Sequence, residues 1–251
     1  MVNPTEHSFA SPDGANLVWH ELGEGRALLL LHGLFSDAAT NWIRFGHAAA
    51  IAAEGFRVIM PDLRAHGRSA SPHDPASYPP DILAHDALAL IAHLRLADYD
   101  LGGYSLGART AVRMMAMGAT PRRLVISGMG LDGLIDTAAR SAHFRRILSG
   151  LGSFERGSPE WMAEAFLRTT GGDPQALLPL LDSFVDTNKT ELANIRIPTL
   201  VLTGADDHDN GSSEALAALL PDARYAEVPG NHMSAVTKPD LGREIAAFLA
   251  A

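Results

Sequence analysis

The chain has 251 residues, 47% of them hydrophobic and 20% charged, a profile that suits one large folded domain with a full core. Its formal net charge of −9, with both signs scattered and no basic stripe, argues against a nucleic-acid partner and reads as a solubility charge. The absence of cysteine excludes disulfides, thiolate metal sites and a cysteine nucleophile. The opening stretch MVNPTEHSFASPDG has neither the basic start nor the apolar centre of a secretion signal. No apolar run approaches the ~18 residues of a membrane span. The expected setting is cytoplasmic, with a small-molecule substrate and no membrane partner.

HSFA and NLVWHEL flank a Pro-Asp-Gly turn, which predicts an antiparallel hairpin at a sheet edge. ALLLLHG is a continuous apolar run ending in glycine, as expected of a strand buried on both faces. DAATNWIRFGHAAAIAAEG follows with Trp42, Ile43, Phe45 and Ile51 at helical spacing and Gly55 as its C-cap. FRVIM predicts a strand, PDLRAHGRSASPHDPASYPP a loop, and DILAHDALALIAHLRL a helix with an aspartate at its start. YDLGG, LGARTAVRMMAMG and RRLVISG continue the alternation as strand, helix and strand. Residues 131–195 then hold only short helix-like pieces. IPTLVLTG, SSEALAALL, ARYAEVPG and KPDLGREIAAFLAA restore strand, helix, strand and helix. Such alternation implies an α/β protein with a parallel sheet covered by helices on both faces. Residues 1–130 and 196–251 form the expected core domain, and 131–195 an inserted helical cap.

Ser105 lies in LGGYSLGAR, between a strand-like run and a helical one. A serine hydroxyl needs a base within reach and an exposed position to act as a nucleophile. The G-x-S-x-G spacing supplies the exposure, because Gly103 and Gly107 carry no side chains to obstruct a tight strand-to-helix turn. A turn serine in a glycine-rich chain is the competing reading. Upstream, His32-Gly33 ends the apolar run of LLLLHGLFSD, so the Leu34 N–H can point at a developing oxyanion. The Leu106 N–H, at the start of the helix after Ser105, is the matching second donor.

Among eleven histidines, His232 in VPGNHMSAV is the best-placed base, on a loop between the last strand and the last helix. His66 and His73, on the long loop after FRVIM, are lesser candidates. His47, His85, His93 and His143 fall in helix-like segments, and His208 in an acidic turn. The carboxylate that orients the imidazole is expected at Asp207 in LVLTGADDHDN, with Asp206 second and Asp132 more distant. Adjacent residues of that acidic turn cannot easily converge on one ion, so no metal is expected.

Ser105, Asp207 and His232 occur in the order known for α/β-hydrolases. Together with HG at 32–33, DLRAHGRS at 62–69 and GYSLG at 103–107, the sequence resembles that superfamily over nearly its whole length. The resemblance implies an eight-stranded, mostly parallel sheet and a cofactor-free serine hydrolase. It makes Ser105 the nucleophile, His232 the base and Asp207 the acid, with an oxyanion hole at the Leu34 and Leu106 backbone. Two positions depart from the family's usual pattern: Ala65 stands for the first glycine of D-x-R-G-x-G-x-S, and Ala108 for a second glycine after the turn.

Phe35, Trp42, Tyr104, Trp161 and Met233 are the expected wall of an apolar pocket, although most aromatic residues of 131–195 must serve to pack it onto the core. A small to medium, fairly apolar ester or lactone is the expected substrate. The same triad also runs C–C bond hydrolysis, thioester cleavage, acyl transfer and cofactor-free peroxidation, and the scaffold can serve as a small-molecule receptor.

Overall fold

The structure is a computed structural model and describes residues 4–251. Strands β1 (Thr5–Ala10) and β2 (Asn16–Leu22) form the antiparallel hairpin. The Gly14 N–H donates to the Ser11 carbonyl at 2.8 Å across the turn, with Gly14 at φ 87°. After β3 (Arg26–Leu31) and β4 (Phe56–Pro61) come β5 (Tyr99–Tyr104), β6 (Leu124–Ser127), β7 (Thr199–Gly204) and β8 (Ala223–Val228). They make one eight-stranded sheet in the order β1-β2-β4-β3-β5-β6-β7-β8. β2 pairs antiparallel with both neighbours, and every pairing from β4 to β8 is parallel.

Helices α1 (His47–Ala52), α2 (Ile82–His93) and α3 (Leu106–Ala116) lie within the first half of the chain. Five helices then run between β6 and β7: α4 (Asp132–Ile135), α5 (Thr137–Ser149), α6 (Pro159–Thr170), α7 (Pro174–Asp182) and α8 (Lys189–Ala193). α9 (Ser213–Leu219) and α10 (Pro239–Ala250) complete the fold. Leu29, Leu31, Leu101, Ile126 and Val201 face a core layer under α2, α3 and α9. Leu28, Leu30, Val125, Leu200 and Leu202 face the opposite layer, under α1 and α10. The run Leu28–Leu31 therefore has no exposed surface on either side. Each such leucine contributes roughly 2 kcal/mol by burial, which is why the central strands read as unbroken apolar runs.

No strand occurs among residues 131–195, as expected from their composition. Side chains at the helix starts explain much of the local order. Asp136, Ser158 and Asp173 each accept a backbone N–H of the first turn, and α6 and α7 open with proline. Asn188 and Glu191 form a complete capping box on α8.

Two local expectations fail. The helix over residues 37–55 is broken into a single wide turn (Ala39–Ile43) and α1, because Gly46 enters the left-handed region at φ 81°. Asp81 precedes α2 at φ 58° and does not cap it. Its carboxylate instead takes a two-pronged bond from Arg113, at 2.9 and 2.8 Å. A guanidinium offers more than one backbone N–H, so the long-range partner wins. No helix among the described residues is long and apolar enough to cross a membrane.

Candidate active site

β5 and α3 meet at Ser105, which has φ 53° and ψ −113°. A non-glycine residue in so sparse a region costs about 1–3 kcal/mol and persists only where its surroundings impose it. Here the neighbouring glycines impose it. A Cβ on Gly103 would lie 2.2 Å from the Gly107 carbonyl carbon, and one on Gly107 would lie 2.2 Å from the Leu31 carbonyl oxygen. The start of α3 thus packs directly against the ends of β3 and β5 and lifts Ser105 out of the sheet. Ala108, one of the two departures from the family pattern, is fully buried without disturbing this turn.

His232 sits on the loop after β8. Its Nε2 lies 3.0 Å from Ser105 Oγ, and its Nδ1 lies 2.8 Å from Asp207 Oδ2. An ionised carboxylate accepts only, so Nδ1 carries the proton and the Nε2 lone pair faces the serine hydroxyl. Asp207 ends a turn after β7, with its N–H on the Gly204 carbonyl at 2.9 Å, and its Oδ1 accepts the Asp209 N–H at 3.1 Å. Burial pushes its carboxyl up, but the hydrogen bond and charge of His232 outweigh that and hold it below the usual carboxylate range. Asp206 is exposed, and only its backbone takes part, bonding the Gly230 carbonyl at 3.0 Å. Asp132 lies against Gly211 and makes no bond to His232. Asp209 pairs with Arg140 at 3.3 Å.

The loop after β3 lies against the serine: a Cβ on Gly33 would be 3.5 Å from Ser105 Cβ. Its N–H groups are nearly all engaged. Gly33 donates to Asn41 Oδ1 at 3.0 Å, Phe35 to His66 Nε2 at 3.3 Å, and Ser36 to the Gly33 carbonyl at 3.2 Å. Among the described residues the Leu34 N–H has no partner, and neither has the Leu106 N–H in the first turn of α3. Two free donors therefore flank Ser105, one of them at the positive end of a helix.

The DLRAHGRS segment holds this loop in place. Asp62 accepts the Ala38 and Arg68 N–H groups, each at 2.9 Å, and Ser69 Oγ donates to the Asp62 carbonyl at 2.6 Å. Gly67, at φ 54°, leaves room for the Asp62 carboxylate, and Ala65 carries a methyl group at φ 67° where the family pattern has glycine. His66 is 3% exposed, and its Nδ1 donates to the Arg64 carbonyl at 3.0 Å. Burial, and then the neighbouring His32, push it down to about 3, so it stays neutral as a fixed acceptor. His32 is likewise buried, accepting the Leu63 N–H at 2.9 Å. Neither His66 nor the exposed His73, which meets Asp173 of the inserted helices at 2.7 Å, reaches Ser105.

The expected pocket residues separate. Met233 is half exposed beside His232, and Trp161 is half-buried on α6. Phe35, at φ 61°, is buried edge-on against Phe144 of α5, with ring centroids 5.3 Å apart, and joins the loop to the inserted helices. Tyr104 is buried and donates to the His232 carbonyl at 2.6 Å, so it holds the base from below. Trp42 is a correction: it is fully buried in the α1/α10 layer, because the wide turn at Ala39–Ile43 rolls its ring down onto the sheet. Asn41 and Thr170, whose hydroxyl donates to the Phe35 carbonyl at 2.7 Å, escaped sequence reasoning. The signal for Asn41 was a polar residue directly before the apolar pair Trp42-Ile43.

An eight-stranded sheet of this order, with a strained serine between β5 and α3, defines the class of the α/β hydrolases. Residues 28–241 match the model of the alpha/beta hydrolase family, and the chain belongs to that family of enzymes. A non-heme haloperoxidase from Rhodococcus erythropolis is 27% identical, the match covering 94% of this chain and 97% of that one. Among solved structures, a hydrolase from Pseudomonas aeruginosa superposes with TM-score 0.79 at 25% identity, 98% of each chain being covered. An esterase from Rhodococcus sp. ECU1013 gives TM-score 0.76 at 25% identity, again with 98% of each chain covered.

Proposed function

We propose that this protein is a serine hydrolase that cleaves a small to medium carboxylic ester or lactone through an acyl-enzyme on Ser105. The observation that carries the reading is the unbroken chain Ser105 Oγ, His232, Asp207, at 3.0 and 2.8 Å. His232 Nε2 takes the hydroxyl proton as Ser105 attacks the carbonyl carbon, and Asp207 stabilises the imidazolium that forms. The Leu34 and Leu106 N–H groups receive the oxyanion, a role in which one donor is worth about 10²–10³ in rate. His232 then hands its proton to the leaving alcohol. Water, activated by the same nitrogen, releases the acid.

Residues 131–195 serve in this reading as a cap over a core of 1–130 and 196–251, with Met233 and Trp161 offering apolar surface to the substrate. The esterase among the similar structures supports ester cleavage. The haloperoxidase relative favours a second acceptor, hydrogen peroxide, taking the acyl group in place of water. Fluorophosphonate labelling together with a panel of p-nitrophenyl esters, with and without peroxide, tests both. Labelling and turnover are expected in the wild type and lost in Ser105→Ala with circular dichroism unchanged. Undiminished labelling of that variant overturns the assignment.

A further inference from the structure

β6 ends at Ser127, and the peptides of Ser127 and Gly128 meet the carriers of all three members of the proposed triad. The Ser127 carbonyl accepts the Ser105 N–H at 2.8 Å, which fixes the backbone of the serine. The Gly128 carbonyl accepts Asn210 Nδ2 at 2.9 Å, and Asn210 stands three residues beyond Asp207 on the same loop. Gly128 lies at φ 59°, and a Cβ there would come within 2.7 Å of Tyr104 Cζ, so its bare Cα forms the bed of the tyrosine ring. The hydroxyl of that ring donates to the His232 carbonyl. The Gly128 N–H, on the Leu202 carbonyl of β7 at 2.8 Å, ties this corner to the sheet.

Tyr104 is 3% exposed and Asn210 6%, so both side chains face the interior. The peptide of Tyr104 continues into Ser105, while its hydroxyl reaches a residue 128 positions further on. A rigid ring between those two attachments sets how far the base stands from the serine. Around His232 the side chain of Asn231 makes only local bonds, its Oδ1 accepting the Met233 and Ser234 N–H groups at 3.1 and 2.9 Å. Asn210 has the matching place for the acid. The turn at Asp207 is closed by short-range bonds to Gly204 and Asp209, and the Asn210 amide fastens it to β6, 82 residues away. Both bonds are neutral and end on carbonyls, so they act by geometry and not by charge. A misplacement of about 1 Å at such a distance from the chemistry costs up to roughly 10²-fold in rate.

We propose that Tyr104 and Asn210 are positioning residues, which register His232 and Asp207 to Ser105 through the shared corner at Ser127 and Gly128. This rests on the acyl-enzyme reading above. Buried as they are, both act through the residues they hold.

Tyr104→Phe removes one oxygen and keeps the ring. Its kcat on a p-nitrophenyl ester is expected to fall about 10-fold with KM within about twofold, and fluorophosphonate labelling, which reads the attack step, to slow by a similar factor. Unchanged kcat and labelling overturn the role of Tyr104, whatever the melting temperature does. Asn210→Ala keeps the backbone bond from the Gly133 N–H to the Asn210 carbonyl at 2.9 Å. It is expected to lower kcat about 10-fold in the wild type but less than about twofold in Asp207→Asn, where the group it registers is already gone. A merely structural role gives equal rate losses in the two backgrounds, and that additivity overturns the proposal. If Asn210→Ala does not fold, Asn210→Asp replaces it in the same comparison, equal in size and unable to donate once ionised. Ser105→Ala is labelled alongside. Retained labelling there sinks the acyl-enzyme reading and this proposal with it, whereas lost labelling with full rates in Tyr104→Phe and Asn210→Ala sinks this proposal alone.

Discussion

Thr170, the last residue of α6, donates its hydroxyl to the Phe35 carbonyl at 2.7 Å, from 135 residues away. The same Phe35 peptide donates its N–H to His66, and its ring packs on Phe144. The loop that bears the free Leu34 N–H is therefore held from the core on one side and from the inserted helices on the other. Thr170→Val keeps the shape and removes the bond, worth about 0.5–1.5 kcal/mol net. In steady-state ester hydrolysis kcat should fall roughly 3–10-fold with KM little changed, and a loss confined to KM would contradict this coupling.

Asn41 acts on the preceding peptide. It is 2% exposed, and its Oδ1 is the acceptor for the Gly33 N–H. Asn41→Leu leaves that N–H buried and unpaired, at about 1–3 kcal/mol. Both the melting temperature and kcat should drop, with kcat lower by about 10-fold or more. A variant that loses stability alone, with unchanged kcat, would show that Asn41 does not position the Leu34 N–H for the proposed reaction.

Asp207→Asn should cost about 10⁴ in kcat, because an amide no longer fixes the tautomer or stabilises the imidazolium. The exposed neighbour provides the control, with Asp206→Asn expected near wild type. A large loss in Asp206→Asn with an active Asp207→Asn would reverse the assignment of the acid.

Stability should fall on mild acidification. His32, His47 and His66 are all held below the ordinary histidine value by burial, His66 down to about 3. The unfolded chain binds protons at these sites before the folded one does. Their contribution is full above the unfolded value of about 6.5 and is lost as pH falls from there towards the folded values, at up to ~1.4 kcal/mol per pH unit for each. His20, raised chiefly by its bond to Asp62, has the opposite sign and favours the folded state below that value. Urea unfolding between pH 7 and pH 5 should show falling stability, with a shallower slope in His66→Gln. A flat profile would place a proton on the buried histidines of the folded state.

Much of the fold was legible locally. The Pro-Asp-Gly hairpin, the run ALLLLHG and the glycine-bounded elbow each depend on residues within a few positions, and local patterning is what a sequence displays. The meeting of Ser105, Asp207 and His232 at the candidate site was legible through order and loop placement. The failures were places where a distant partner outweighed a local tendency. Asp81 binds Arg113 instead of capping α2, and Tyr104 serves the His232 backbone; only the break at the left-handed Gly46, which buries Trp42, is local.

By itself, the order of residues determined the alternation of strands and helices, the strained turn at Ser105 and the chemical kinds of its partners. These follow from side-chain period, glycine and the need for a base and an acid. Only the tertiary structure decided which donors stay free. Whether the Leu34 and Leu106 N–H groups lack partners depends on what Asn41, His66 and Thr170 take up, and packing brings those groups together from far along the chain.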